Sequence, residues 1–306
     1  MSVTVTAPAK VNLGLSVGPL RPDGYHDIAT VFHALSLHDT ITVEHAPQPA
    51  VTMDMRVLGV VPHDADNIAL RAVNALAVST GHQPQASVHI VKRIPVAAGL
   101  AGGSADAAGV LVACNELWHT GLTLAELADI AAGLGSDVAF ALHGGTMVGT
   151  GRGERLAPVL AAPSAPLHWV IAASGAGLST PAVYRALDEM RDESGQHVEE
   201  PAVSMELMLA LRTGDVREIA SALANDLQPA ALRLRPSLAR TLQAGLDAGA
   251  IGAVVSGSGP SCAFLAADAE HSVDLAVELS AAGVCDTVLR ATGPAHGVQV
   301  ERVQGA

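Results

Sequence analysis

Pro95-Val96-Ala97-Ala98-Gly99-Leu100-Ala101-Gly102-Gly103-Ser104-Ala105-Asp106 lies between a strand pattern and a helix pattern, and its reading decides the fold. Upstream, residues 86–94 alternate, with Val88 and Ile90 against His89 and Lys92, as a strand does. Downstream, Ser104 is the expected cap of a helix. Its apolar positions Ala107, Leu111, Cys114 and Trp118 recur at helical spacing, with Gly121 just past the end. Glycines let a backbone approach a ligand closely, and the N–H groups of a first helical turn point at whatever sits there. That is an anion cradle, most often for phosphate. The stretch is neither G-x-x-x-x-G-K-[ST] nor G-x-G-x-x-G. Read alone, it is also compatible with a tight strand-to-helix connection.

Of 17 Lys and Arg residues only Lys10 and Lys92 are lysine. Lys92 precedes the mouth of the loop, and Lys10 stands in Ala7-Pro8-Ala9-Lys10-Val11-Asn12-Leu13, beside another strand-like run. A compact ammonium can sit close to a reacting oxygen where a planar guanidinium cannot.

The chain's 306 residues allow one large or two ordinary domains, and 49% hydrophobic content describes a well-filled core. No apolar run approaches 18 residues, so no membrane span is expected, and the first 20 residues do not read as a signal peptide. Cys114, Cys262 and Cys285 are odd in number and far apart, the pattern of reduced thiols in a cytoplasmic protein. A net charge of −13 without a basic cluster argues against nucleic acid as a partner, though backbone amides can still hold a small phosphorylated ligand. The 13 histidines show no H-x-x-x-H spacing, so a catalytic zinc site is not expected.

Residues 2–17 and 28–44 read as strands separated by the turn-rich segment 18–26. Asp66-Asn67 precedes a helix over 68–78. Thr123 and Glu126 form a capping box for another, which stops at Gly133-Leu134-Gly135. Ser136-Asp137-Val138 opens a short helix or turn, and Gly144-Gly145 leads into a strand at 146–148. Pro158, Pro163 and Pro166 mark the expected boundary between domains 1–157 and 158–306. Beyond it a strand over 168–173 precedes the helix start Thr180-Pro181, the acidic stretch 191–201 reads as a solvated loop, and helices fill much of 203–248. Strands at 253–255 and 262–266 flank a second glycine loop, Ser256-Gly257-Ser258-Gly259-Pro260-Ser261. Strands and helices mix without strict alternation, so the fold class is α+β.

Three segments together resemble the GHMP small-molecule kinases: Pro8 to Leu13, Pro95 to Ser104, and Gly257 to Ser261. They stand in that family's order over essentially the whole chain. Arg21-Pro22-Asp23-Gly24-Tyr25-His26 and Gly135-Ser136-Asp137-Val138 resemble its members that act on a cytidyl-diphosphate sugar alcohol in isoprenoid precursor synthesis. The resemblance implies a two-domain α+β architecture with the active site in the interdomain cleft, ATP and Mg2+ as cofactors, and a monomer or homodimer. It implies ATP contacts from Asn67, Lys92 and residues Pro95 to Ala105, and acceptor contacts from Asn12, Tyr25, His26, Thr180 and Tyr184. It implies catalytic roles for Lys10 and Asp137. Ala101 and Ala105 depart from the family pattern, and Ala105 leaves Ser104 as the hydroxyl in that part of the loop. Other readings stay open: another small-molecule kinase of the homoserine or mevalonate branch, or a non-catalytic sensor on the same fold. Asp137 also fits a helix N-cap, Tyr184 a half-buried packing residue, and His26 a turn residue facing solvent.

Overall fold

Every odd-numbered residue from Val3 to Val17 is apolar and buried, so a period of two persists through a single long strand. A computed structural model describes residues 1–57, 61, 66–159, 166–175, 177–195 and 197–304. The first half runs β1 (Ser2–Leu20), β2 (His26–His45), β3 (Ala50–Met55), α1 (Ile68–Thr80), β4 (Ala86–Lys92), α2 (Gly102–Trp118), α3 (Leu124–Ala132), α4 (Ser136–His143), β5 (Thr146–Thr150) and β6 (Arg155–Pro158). There follow β7 (Leu167–Ala173), α5 (Thr180–Ser194), α6 (Met205–Thr213), α7 (Val216–Ser221), β8 (Ala224–Asn225), α8 (Gln228–Leu234) and α9 (Ser237–Asp247). The chain continues with β9 (Gly252–Val255), β10 (Cys262–Ala266), α10 (Ala269–Ala282), β11 (Thr287–Gly293) and β12 (Gln299–Gln304).

The β1–β2 hairpin is the axis of an eight-stranded sheet ordered β12-β1-β2-β4-β3, with β5 on β2, β6 on β5, and β8 on β1. Helix α2 lies across β1 and β2, with its buried face on Ala107, Leu111 and Cys114. The register of the hairpin shifts between Pro8 and Lys10 and again between Asn12 and Gly14. Such bulges bend a strand and re-aim its side chains. A second, four-stranded antiparallel sheet is ordered β11-β7-β10-β9 and carries α10.

The α+β class stands. All four strands of the second sheet follow residue 158, but the first sheet also takes β8 and β12 from the later half, so its strands cross the expected boundary. Pro163 lies outside the described residues. Ser104 is not the cap of α2: the helix begins at Gly102, Ala101 is the N-cap with φ +58, and no side chain caps it. At the other end His119 (φ +53) takes the left-handed position ahead of Gly121. The acidic stretch is not a loop from its start, because α5 continues through Ser194. Arg191, expected in solvent, instead donates to the carbonyls of Val17 (2.7 Å) and Gly18 (3.1 Å). Pro201 begins nothing regular, but Ser204 caps α6 through the Leu207 N–H.

Candidate active site

Lys10 and Asn12 lie on the bulged part of β1, on the face opposite the core residues Ala9, Val11 and Leu13. The Lys10 ammonium donates to Asn12 Oδ1 at 2.7 Å, Asn12 Nδ2 donates to Thr30 Oγ1 at 2.7 Å, and Thr30 donates to the Gly14 carbonyl. This chain of bonds fixes the lysine from below, while the Phe32 ring lies 5.7 Å from its Nζ. Asp137 Oδ2 is 3.7 Å from the same ammonium. Burial pushes Lys10 below the usual lysine range, and Asp137 restores part of that loss.

Asp137 stands in the first turn of α4, whose N-cap is Gly135, with no side chain capping the helix. The N-cap alternative for Asp137 is therefore not what the chain does. Its carboxylate faces Lys10 instead.

The loop after β4 alternates handedness. Ala97 (φ +50), Gly99 (φ +76) and Ala101 (φ +58) are left-handed, and Ala98 and Leu100 between them are not. Such alternation curls successive N–H groups into an anion-binding nest, and here it ends at the uncapped start of α2. The nest is pinned from behind. Lys10 N–H donates to the Leu100 carbonyl (3.2 Å), Ser261 N–H to Ala98 (3.2 Å), and Ser256 Oγ to Gly99 (3.0 Å). A Cβ at Gly99 would collide with the Ser256 carbonyl oxygen, so the first glycine is required by the contact between the two glycine loops. Asn225 Nδ2 ties the second loop, donating to the carbonyls of Val255 and Gly257 at 2.7 Å each.

The turn 21–26 is built by its own side chains. Arg21 pairs with Asp23 (2.6 Å) and Asp27 (2.9 Å), Asp23 accepts the Tyr25 N–H (3.1 Å), and Gly24 takes φ +83. His26 is buried rather than facing solvent. Its Nδ1 lies 2.9 Å from the Gly18 carbonyl, its Nε2 3.2 Å from Asp188 Oδ2, and its ring stacks on Tyr184 at 5.3 Å. Burial, with the charge of Asp137 added, pushes the Tyr184 phenol up to about 12. Thr180 Oγ1 lies 2.8 Å from Ser258 Oγ, joining α5 to the second glycine loop.

A single cavity of about 750 Å³ collects these features. Its wall includes Lys10, Asn12, Tyr25, His26, Asp137, Thr180 and Tyr184, together with Ala97, Ala98, Gly99, Ala101, Gly102, Gly103 and Ser104 of the nest. Pro95, Val96, Leu100 and Ala105 support the loop without lining the cavity, and Leu100 and Ala105 are fully buried. Asn67 is also behind the wall, accepting the Ala69 N–H as the cap of α1. Lys92, expected at the mouth of the loop, turns inward to Asp39 (2.5 Å) and Asp106 (2.6 Å), with the Gly102 carbonyl at 3.4 Å. The two carboxylates outweigh burial and raise its pKa. The ammonium thus braces the first turn of α2 from its core side.

Sequence reading missed Phe32, Arg152 and Asp188 in the cavity wall. For Asp188 a signal existed: Thr180, Tyr184 and Asp188 are spaced by four along α5 and so share one face. Phe32 and Arg152 come to the site only through the pairing of β2 with β5 and the β5–β6 turn, which no local pattern announces.

Two family models match the chain, GHMP kinases N terminal domain over residues 67–145 and GHMP kinases C terminal over residues 207–285. Among similar proteins, one from Salinispora tropica is 53% identical over 97% of this chain and 94% of its own length. One from Streptomyces coelicolor is 51% identical over 98% and 99%. Both are named 4-diphosphocytidyl-2-C-methyl-D-erythritol kinase. A crystal structure titled 4-(cytidine 5'-diphospho)-2C-methyl-D-erythritol kinase is 35% identical with a TM-score of 0.74, covering 95% of this chain and 98% of that one. The homoserine kinase from Cytophaga hutchinsonii, at 20% identity and the same TM-score, covers 98% and 97% and shares the fold. With a nest at the uncapped start of α2, a lysine–aspartate pair facing it, and relatives matched along nearly its whole length, the chain belongs to the GHMP kinase family of small-molecule kinases.

Proposed function

We propose that this chain transfers the γ-phosphoryl group of ATP to the 2-hydroxyl of 4-diphosphocytidyl-2-C-methyl-D-erythritol, in the cytoplasm, as a step of non-mevalonate isoprenoid precursor synthesis. The observation that carries the reading is the cavity itself. It holds an anion nest, a Lys10–Asp137 pair, and beyond them an aromatic end made by Tyr25, His26 and Tyr184. The nest and the first-turn amides of α2 bind the triphosphate. The aromatic end takes the cytosine, stacked on Tyr184, a contact worth roughly 1–3 kcal/mol. The acceptor hydroxyl then falls beside Asp137, which orients it and accepts its proton as the oxygen attacks phosphorus. Phosphoryl transfer has a loose transition state, so orientation and charge stabilisation supply most of the acceleration. Lys10 stabilises the transferring group, held at its station by Asn12 and Thr30.

His26 enters this reading with both ring nitrogens already facing oxygens, Gly18 and Asp188. Its part is to hold the stacking partner Tyr184 and, by exchanging Asp188, to meet the base edge. Among the described residues no group of three His, Cys, Asp or Glu is arranged to hold a metal ion. A Mg2+ arriving on the nucleotide would need only one or two protein oxygens, and the Ser104 hydroxyl in the cavity wall beside the nest fits that need. When bound, it neutralises charge on the phosphates.

No helix among the described residues is long and apolar enough to cross a membrane. The test is ADP release from ATP and Mg2+ with a panel of acceptors. Turnover confined to the cytidyl-diphosphate sugar alcohol supports the reading, and turnover with homoserine or mevalonate instead would overturn it.

A further inference from the structure

The turn that links β5 to β6 borders the cleft and contributes Arg152 to its wall. That turn is seated against β2 and the start of α4: a Cβ added to Gly153 would lie 3.4 Å from Phe32 Cζ, 3.4 Å from Ile28 Cδ1 and 3.6 Å from Ser136 Cβ. The Gly151 carbonyl accepts the Ile28 N–H at 2.7 Å, and Glu154 accepts the Arg152 N–H at 2.7 Å, so the backbone on both sides of Arg152 is fixed. From this seat the Arg152 guanidinium reaches over the Tyr25 ring, 5.1 Å from its centroid, and lines the cavity. Arg152 therefore meets Tyr25 at the aromatic end, while the next residue, Gly153, packs beside Ser136, the neighbour of Asp137 at the reacting end.

Both lysines near the cleft are committed, and the cavity wall holds one other arginine, Arg185. Lys10 serves Asn12 and Asp137, and Lys92 serves Asp39 and Asp106. Arg152 makes no ion pair among the described residues, and contact with a ring face leaves its five N–H donors for an oxygen acceptor. A chain of net charge −13 also needs a local cation wherever an anionic ligand enters. The acceptor's own order is base, ribose, diphosphate, polyol hydroxyl. With the base at the aromatic end and the polyol hydroxyl beside Asp137, the diphosphate falls between them, and Arg152 is the wall cation in contact with the aromatic end. We propose that Arg152 binds the diphosphate of the acceptor and makes the cleft select a nucleoside diphosphate over the bare nucleoside, an inference that rests on the reading of function above.

The test compares the wild type with Arg152→Met and Arg152→Lys, using CDP and cytidine as competitors and as ligands in direct calorimetry. Methionine keeps an unbranched apolar stem over Tyr25 and removes the donors. Arg152→Met weakens CDP and raises the acceptor KM by about 10–100-fold, the worth of one or two charge-assisted bonds. Cytidine affinity and the KM for ATP stay within about twofold, and Arg152→Lys recovers part of the CDP loss because a point charge replaces a fork. Equal weakening of CDP and cytidine would show that Arg152 only braces Tyr25, and would overturn the inference. Unchanged CDP affinity would overturn it too, and Arg185→Met would then test the other arginine of the cavity wall. A wild type that fails to phosphorylate the acceptor, yet binds CDP through Arg152 in calorimetry, counts against the proposed reaction and leaves the diphosphate site standing.

Discussion

Replacing Asp137 with Asn keeps the size of the side chain and removes its charge and its proton acceptor. The start of α4 does not depend on that charge, because Gly135 is the N-cap and no side chain bonds the first-turn amides. What the fold loses is a carboxylate in the field of a helix N-terminus, about 0.3–1 kcal/mol. What the reaction loses is larger. A positioned general base contributes about 10²–10⁴-fold, and turnover should fall by that factor while ATP and the acceptor still bind. The change also reaches Lys10. At the observed 3.7 Å, two unit charges in a medium of dielectric ~20 attract by about 4 kcal/mol, and the 29% exposure of the carboxylate lets water screen part of it. Without that partner the ammonium, already lowered by burial, drops further, so the alkaline limb of kcat moves to lower pH. The assay is kcat against pH by coupled ADP release, with ATP affinity measured separately. Turnover near that of the wild type would refute the assignment. Loss of ATP binding would show instead that Asp137 holds the nucleotide. The double variant with Lys10→Ala should lose less than the product of the two single losses, since the pair acts as a unit.

Three further outcomes follow from the geometry. In Gly103→Val the added Cβ meets only Ile68 Cγ2, at 3.6 Å, so the chain folds while the branched side chain fills the nest. ATP affinity should fall at least about tenfold in calorimetry, and an unchanged value removes the cradle. Tyr184→Ala should raise the acceptor KM by about 5–100-fold with the KM for ATP unmoved, and Tyr184→Phe should be mild. Equal loss for both ligands would mean the ring supports the fold. His33 is buried and its pKa is pushed down to about 4, against about 6.5 when unfolded. Above pH 6.5 both states are neutral. Between 6.5 and 4 only the unfolded chain takes up the proton, so about 3 kcal/mol of stability is lost as pH falls through that window. Urea midpoints at pH 7 and 4.5 should fall less steeply with acid in His33→Asn, and equal slopes in both proteins would refute this.

What the sequence shows of this fold is what repeats locally. The alternation from Val3 to Val17 marks β1, the capping box at Thr123 and Glu126 forms as read, and the glycines at 99, 102 and 103 mark the nest. The bulges that aim Lys10 and Asn12 depend on how β1 registers against β2, which a strand's own residues do not state. Lys92 shows the same limit from the other side. Its place in the chain fits a phosphate ligand, but Asp39 is 53 residues away and closes on it only in three dimensions. Ser104 looked like a cap because serine caps helices often. The left-handed Ala101 starts the helix earlier, a conformation that composition does not reveal for alanine.

The first and last strands of this chain are neighbours, β12 lying antiparallel to β1 from Ser2 to Thr6. On the way there the segment after β11 passes along the end of α4, where Val298 N–H donates to the Ala141 carbonyl and Gly145 N–H to Ala295. During synthesis, then, a growing chain carries Lys10, the nest and Asp137 long before it can secure them. Until residues 295–304 leave the ribosome, the edge of β1 is open and the end of α4 has no clasp. Completion of the site thereby waits for residues 295–304 to be made, and the exposed β1 edge is the surface a chaperone would have to shield in the interval.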